Sequence, residues 1–513
     1  MTTSTKRRAT LTWLLTALAL LLGARTVWLA ARYLLGAPSV PRYQVESSVV
    51  AFVVVGALAH ATRAREALAR GEQVDIRLWP ATLVAELAGW CAASLALYGP
   101  LVGIGWLSDD WTLVDRVRHG AFGPVSTEFF RPVPLLAWSG LLYVDGPVGM
   151  HLLNVVAHGA VAFLAARLAA PLAASRLPAL TAGALVLAFP ASVEAVAWAS
   201  GIFDVAATLL VLLAVLVSRG YGDATPWSTR VSLMTVAVAA LLSKETAVVV
   251  PVLIAVDAWA SRRLTRPLIA DLAALGVLFV AIGLLRLLFA SDMVRQPLTR
   301  YLVQRWMFGT VGGLAVPWHR EVVTSWPWIP ITGVVIVMSL AMAFVVTRSR
   351  AGTSRTLAAF AVWLLAGSLP AVTFFFVAPD LQGSRYLYLP TIGYVLLLVT
   401  MASGTASSML RWYGTMGLGV LVLLGVVGVT MHQRHWQDAA RTRDAILAAA
   451  RIDERLRQCG AINLRGLPDT VQGAYAFRNG AAIVFSEIGL TLSESAAPSC
   501  VFSWDEASGF RQP

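Results

Sequence analysis

Charge is what this sequence has least of. Only 13% of its 513 residues are Asp, Glu, Lys or Arg, while 58% are hydrophobic, and the mean hydropathy is +0.70. A soluble chain of this length could not cover itself in polar surface with so few charges, so the composition excludes an ordinary soluble domain. Cysteine is scarce too, with three in all. No internal repeat at a fixed period and no low-complexity segment is visible. The formal net charge of +12 raises nucleic acid as a partner, but there is no Lys-rich tail and no basic surface interleaved with aromatics. Arginine on cytoplasmic loops accounts for the sign. A cleaved leader is not expected either. Lys6-Arg7-Arg8 opens an apolar run that continues to about Leu35 with no small-residue cleavage site, which reads as an uncleaved first helix.

What is present is long apolar runs. Lipid needs no polar cover, and in hydrocarbon every backbone polar group must be paired internally. The runs are too continuous for barrel strands, so they read as helices. Spans are expected near 10–35, 47–62, 81–106, 148–170, 177–198, 201–218, 231–243, 246–260, 268–290, 329–347, 356–376, 387–404 and 412–431. The fold class is therefore an all-α polytopic membrane protein with about 13 transmembrane helices. The stretch 300–320, with Trp306 and Trp318 in it and Trp326 and Trp328 beside it, reads as a surface or re-entrant helix. Arginines at 63, 65, 70, 167, 176, 219, 230, 262, 263, 266, 348, 350, 355 and 411 fall in alternate gaps, on the same side as the N-terminus. The positive-inside rule makes that side cytoplasmic. Asp109, Asp110, Asp115, Glu128, Glu194, Glu245 and Asp380 fall on the other side, with the C-terminus.

The expected organisation is a membrane domain over 1–431 and a small mixed α/β extracytoplasmic domain over 432–513. The latter opens with a charged helical stretch, Asp444 to Gln458, and continues through turn-rich segments including Arg478-Asn479-Gly480. Cys91 lies in an expected span and reads as an inert core thiol. Cys459 and Cys500 share the tail on the oxidising side and are expected to pair.

Several constellations can carry chemistry. Trp106-Leu107-Ser108-Asp109-Asp110-Trp111 sets adjacent carboxylates at a helix exit, either as a solvated end or as a base at a cavity mouth. Phe130-Arg131-Pro132 precedes His151, Asn154 and His158, which share one helical face. Polar residues there form interhelical hydrogen bonds. The two His lie two turns apart, about 10 Å of rise, which disfavours a shared metal. Phe189-Pro190-Ala191-Ser192-Val193-Glu194-Ala195-Val196-Ala197-Trp198 is followed by Gly201 and Asp204, and further on by Ser243-Lys244-Glu245. Ionisable residues flanked by such runs are functional hypotheses by default, the alternative for Lys244-Glu245 being a loop end between two helices. Finally, Arg385-Tyr386-Leu387-Tyr388-Leu389-Pro390 puts an arginine fork beside a span, where it suits a phosphate or serves as an interfacial anchor.

The order and spacing of these elements, over about 100–400, resembles the GT-C superfamily of polyprenyl-phosphate-sugar glycosyltransferases. Within it, the chain is similar to the bacterial relatives of the transmembrane O-mannosyltransferases that carry tetratricopeptide repeats. The resemblance implies a lipid-phosphate-linked sugar donor, an acceptor hydroxyl, an acid in the first large outward loop, and inverting transfer at a bacterial inner membrane. It assigns Asp109, Asp110 and Glu194 as catalytic acids, and Arg385, Lys244 and Arg131 to the donor phosphate. Glu245, His151, Asn154, His158, Tyr386 and Tyr388 support them. A divalent cation could share in offsetting phosphate charge, but no ligand set with clear spacing requires one. Two departures stand out. This sequence shows no such repeats, and its acidic pair follows the third expected helix where the family has it after the first. A lipid-linked-sugar flippase and an inactive scaffold are the alternatives. The first would place charges at mid-membrane depth in symmetric halves. The second would have no reason to gather Asp109, Glu194, Lys244 and Arg385 toward one face.

Overall fold

In a computed structural model of the chain, residues 81–121, 130–142, 146–172, 176–288, 297–346, 353–373, 375–405, 407–495, 500–506 and 509–512 are described. The spans expected at 10–35 and 47–62, the basic N-terminus, Glu128 and the arginines at 63, 65, 70, 348 and 350 lie outside them. Residues 1–86 and 87–513 form two separate units. Helices dominate the second: α1 (Ala81–Tyr98), whose first residues belong to the other unit, α2 (Asp109–Arg118), α3 (Pro132–Leu142), α4 (Pro147–Ala169), α5 (Arg176–Leu187), α6 (Val193–Ala197), α7 (Ile202–Ser218), α8 (Trp227–Leu241) and α9 (Val250–Ala260). There follow α10 (Arg266–Leu288), α11 (Arg300–Ala315), α12 (Arg320–Ser325), α13 (Trp328–Val346), α14 (Thr353–Ser368), α15 (Tyr388–Gly404), α16 (Ser408–Ile452), α17 (Glu454–Arg457) and α18 (Ala481–Glu487).

By length and composition, six helical stretches among the described residues can cross a membrane: Leu83–Leu101, Pro147–Leu172, Ala199–Ser218, Arg266–Leu284, Ser384–Gly404 and Ser408–Ile452. Together these mark a multi-pass membrane protein. A seventh arises if α5 and the Pro190–Ala197 stretch, bent by 47°, form one broken span. Eleven of the about 13 expected spans fall on described residues, and only six or seven stretches there meet that test of length and composition. The physical reason is length. Helix α8 has 15 residues and α9 has 11, rising about 22 and 16 Å against a hydrocarbon core of about 30 Å. Pro190 produces the bend in the expected 177–198 span, since proline lacks the N–H a continuing helix requires.

The expected surface segment at 300–320 contains helix α11, with Trp306 buried against Phe375 and Leu387. Helix α2 is short and amphipathic. Asp109 and Asp110 in its first turn and Arg116 and Arg118 in its last complement the helix dipole. Its Leu113, Val114 and Val117 pack on Trp138, Met150 and Phe203.

The apolar segment expected to end at 431 does not stop there. Helix α16 runs unbroken for 45 residues into the tail. Beyond it stands a small sheet in the order β1 (Asn463–Arg465), β4 (Val501–Asp505), β5 (Gly509–Arg511). Strands β1 and β4 are parallel, and β4 and β5 antiparallel. A hairpin, β2 (Thr470–Val471) and β3 (Ala474–Tyr475), turns at Gln472-Gly473. Cys459 and Cys500 are disulfide-bonded, their Cα atoms 5.9 Å apart. Cys91 is a free thiol whose sulfur lies 3.6 Å from the Val156 carbonyl.

Candidate active site

The first loop supplies the acids, and the two point different ways. Ser108, which precedes α2, has φ 50°, a left-handed value that is strained for a residue with a side chain. It is held there by the tail, since its N–H donates to the Ala476 carbonyl and its hydroxyl accepts from Asn479 N–H. Asp110 is fully buried. It accepts from the N–H of Leu107 at 2.9 Å, from the N–H of Ser200 at 2.8 Å, and from the Ser200 hydroxyl. Burial pushes its pKa up to about 7, against the hydrogen bonds that favour the anion. Asp109 remains partly exposed, accepts a hydrogen bond from the Asn479 side-chain amide, and lines a cavity of about 200 Å³.

That cavity also contains Arg385, Tyr386, Trp198 and, from the tail, Tyr475, Arg478 and Asn479. Arg385 is presented by a turn at Gly383, whose φ is +82°. A Cβ there would meet the Phe376 carbonyl oxygen at 2.0 Å, so only glycine fits. The Arg385 guanidinium is enclosed by three rings, 4.8 Å from the centroid of Trp198, 5.1 Å from Tyr386 and 5.5 Å from Tyr475. Its Nη1 donates to Glu194 Oε1 at 2.5 Å and to Tyr475 Oη at 3.0 Å. Glu194 is 1% exposed, on α6 just past the Pro190 break.

Lys244, expected at the donor phosphate, is buried and donates to Asp204 at 2.5 Å, with its ammonium 5.4 Å from the centre of the Tyr386 ring. Arg131 is engaged by both carboxylate oxygens of Glu245, the shortest contact being 2.6 Å. Neither Arg131 nor Lys244 lines the Asp109 cavity. Each cation of this layer thus has an acid: Arg385 with Glu194, Lys244 with Asp204, Arg131 with Glu245.

His151, Asn154 and His158 hold the loops. His151 Nε2 lies 2.9 Å from the Gly105 carbonyl. The Asn154 amide donates to the carbonyl of Trp198 at 2.7 Å and of Ala199 at 3.2 Å. His158 Nδ1 is 2.6 Å from the Tyr388 hydroxyl, and its Nε2 is 3.2 Å from the Leu187 carbonyl. Trp198 Nε1 donates to the Leu107 carbonyl, tying the second loop to the first.

Sequence reasoning missed the tail's part in this cavity. Tyr475, Arg478 and Asn479 lie more than 360 residues from Asp109 and belong to no motif. Asn479-Gly480, expected as a tight turn, leads into α18, with Gly480 at φ 78° as its N-cap. Ser200 and Asp204 did stand beside the Glu194 motif, and their polarity in an apolar run was the available signal.

The chain shares sequence with two known proteins. It is 32% identical over 194 residues to the protein O-mannosyl-transferase Tmtc1 of Drosophila melanogaster, covering 32% of this chain and 22% of that protein. It is 35% identical over 153 residues to protein O-mannosyl-transferase Tmtc2 of the same organism, covering 28% and 15%. The chain therefore spans less than a quarter of the length of these curated relatives. No family model matches it. No solved structure matches it.

Proposed function

We propose that the protein is a membrane glycosyltransferase of the GT-C kind. It would move a sugar from a polyprenyl-phosphate donor to an acceptor hydroxyl on the extracytoplasmic side. The observation that carries this reading is one cavity shared by a partly exposed carboxylate, Asp109, and two guanidinium groups, Arg385 and Arg478. Inverting displacement needs a base for the acceptor hydroxyl and positive charge for the departing phosphate. Asp109 takes the proton as the acceptor oxygen bonds to the anomeric carbon, and the lipid phosphate leaves with the electron pair of the broken bond. Arg385, with Nη1 engaged, still has the N–H groups of Nε and Nη2, and a guanidinium fork matches phosphate oxygens. Fixed charge aimed at the leaving group is the usual source of large rate effects.

The same geometry gives Glu194 a positioning role, holding Arg385 in its aromatic cage. Lys244 and Arg131 keep the layer beneath neutral rather than gripping the phosphate. Because the tail donates to Ser108 and accepts from Arg385, tail and site share one side. By the positive-inside rule, the arginine distribution supports an extracytoplasmic position for that side and a cytoplasmic N-terminus.

The relatives' names single out mannose as the first sugar to try. The purified protein should transfer label from radiolabelled polyprenyl-phosphate-mannose, or from another sugar of a polyprenyl-phosphate panel, to a hydroxyl acceptor, with loss of transfer in Asp109→Asn. Movement of intact lipid-linked sugar across proteoliposomes with no transferred label would instead identify a flippase.

A further inference from the structure

The turn of the β2–β3 hairpin abuts a second cavity, about 240 Å³, lined by Glu321, Met431, Arg434, His435, Asp438 and Gln472. It shares no lining residue with the Asp109 cavity. His319 and His435 are 1% and 6% exposed, whereas the Glu321 side chain is half exposed. One ligand atom from each of the three lies within 4.8 Å of the other two. His435 Nε2 is 3.2 Å from Glu321 Oε2, yet both its ring nitrogens are buried and form no hydrogen bond. A buried imidazole whose two ring nitrogens make no hydrogen bond requires an explanation. Ligands about 2.0–2.1 Å from a tetrahedral zinc ion sit roughly 3.3 Å from one another, so the 3.2 Å separation suits a shared ion.

His319 fits the same scheme. Its Nε2 lies 3.3 Å from the Gln472 carbonyl, and its Nδ1 accepts from Glu321 N–H at 3.2 Å. Donation from Nε2 to a carbonyl leaves the lone pair on Nδ1, where it accepts the Glu321 N–H, so a bound ion would replace that hydrogen bond; a carbonyl behind the ring is the usual outer shell of a metal-bound histidine. Asp380 and Asp438 add negative charge to this corner, opposed by Arg434.

We infer that His319, Glu321 and His435 form a zinc site that clamps the tail hairpin onto the membrane domain. Two imidazoles and one carboxylate make up three ligands, and the cavity has room for water as a fourth. The ion would sit behind Gln472, at the hairpin turn, while Tyr475 on β3 of that hairpin bonds Arg385. Gly473 completes the fit, since a Cβ there would meet the Asp380 carbonyl oxygen at 2.3 Å. The site goes beyond the glycosyltransferase reading and stands without it.

The test uses full-length protein carrying an affinity tag free of histidine, dialysed against zinc and then against buffer. Elemental analysis should find about one zinc per chain, and cobalt substitution should give the visible d–d bands of a four-coordinate ion. Glu321→Gln, at an exposed position, and His435→Asn should each lower retained zinc about tenfold or more. Zinc should also slow protease cleavage within the tail. Wild-type protein that retains no zinc, or variants that retain all of it, would overturn the site. Full zinc retention with no effect on tail cleavage would overturn the clamp.

Discussion

Exchange of Asp109 and of Asp110 should produce opposite phenotypes, although the two residues are adjacent. Asp109 faces the cavity, with one neutral donor, Asn479, on its carboxylate. Asp109→Asn keeps the shape and removes the capacity to accept a proton. Loss of a general base costs about 10²–10⁴ in rate, or roughly 2.7–5.4 kcal/mol of barrier. Stability should move by no more than about 0.5 kcal/mol, as at other partly exposed positions.

Asp110 instead accepts from three buried donors: Leu107 N–H, Ser200 N–H and the Ser200 hydroxyl. Asp110→Ala strands them. At about 1–3 kcal/mol each the sum is roughly 3–9 kcal/mol, and the low end applies because the hydroxyl can rotate to another acceptor. The assays are single-turnover transfer from the lipid-linked donor and thermal unfolding in the same detergent. Asp109→Asn should be stable and slow, and Asp110→Ala unstable, with near-normal transfer in the fraction that remains folded. A stable, inactive Asp110 variant beside a fully active Asp109→Asn would reverse the roles and refute the reasoning.

Other consequences come from the same contacts. Asp110, raised from 3.8 to about 7, holds its proton more tightly folded than unfolded, so its contribution to stability is fully present below about pH 4. It is lost as pH rises to 7, with a slope of up to about 1.4 kcal/mol per pH unit, and thermal scans of Asp110→Asn should show that slope flattened. Arg385→Ala should impair folding as well as transfer, since it leaves Glu194 buried without its cation, a loss of about 3–5 kcal/mol. Arg385→Met combined with Glu194→Gln should recover monodisperse elution without recovering transfer; recovered transfer would remove Arg385 from the donor site. Replacing Cys459 and Cys500 by Ser opens a loop of sequence separation 41, worth about 4 kcal/mol in the chain-entropy model. The variant's tail should be cleaved faster by protease, and equal cleavage would show that other contacts alone hold it.

Much of the site was legible because its residues break an apolar background. In a chain with so few charges, Asp109, Glu194, Lys244 and Arg385 each stand out against their surroundings. What one dimension cannot show is which charge meets which. Lys244 and Arg385 read alike as phosphate ligands, yet one is buried on Asp204 and the other lines the cavity while bonded to Glu194. Pairing depends on how α6, α7 and the Arg385 turn cross, and no local spacing encodes that. Helix lengths were misread for a related reason. Apolarity marks burial and lipid alike, so α9, with 11 residues, looks in sequence like part of a full span. The His319–Glu321–His435 cluster was invisible because its members come from two helices more than 100 residues apart.

The tail is the larger lesson, and helix α16 explains it. Its 45 residues rise about 67 Å, twice the thickness of a hydrocarbon core. Its apolar half satisfies the lipid. Its polar half is therefore carried beyond the membrane as a rigid rod rather than a linker. That rod is not free-standing, because Gln433 donates to the Leu97 carbonyl and Arg443 to the Trp106 carbonyl, next to the acidic loop. From the segment after Ile452, Tyr475, Arg478 and Asn479 reach the Asp109 cavity. The hairpin then places Tyr475 on Arg385, and the turn after it places Asn479 on Asp109. A tail held only by a flexible tether would have to pay the ordering entropy of docking each time it completed the site. One continuous helix removes most of that cost before any substrate arrives, and this is why a hydrophilic segment without a motif of its own can supply residues to a cavity whose other walls are the start of α2, Trp198, Phe376 and the turn that carries Arg385.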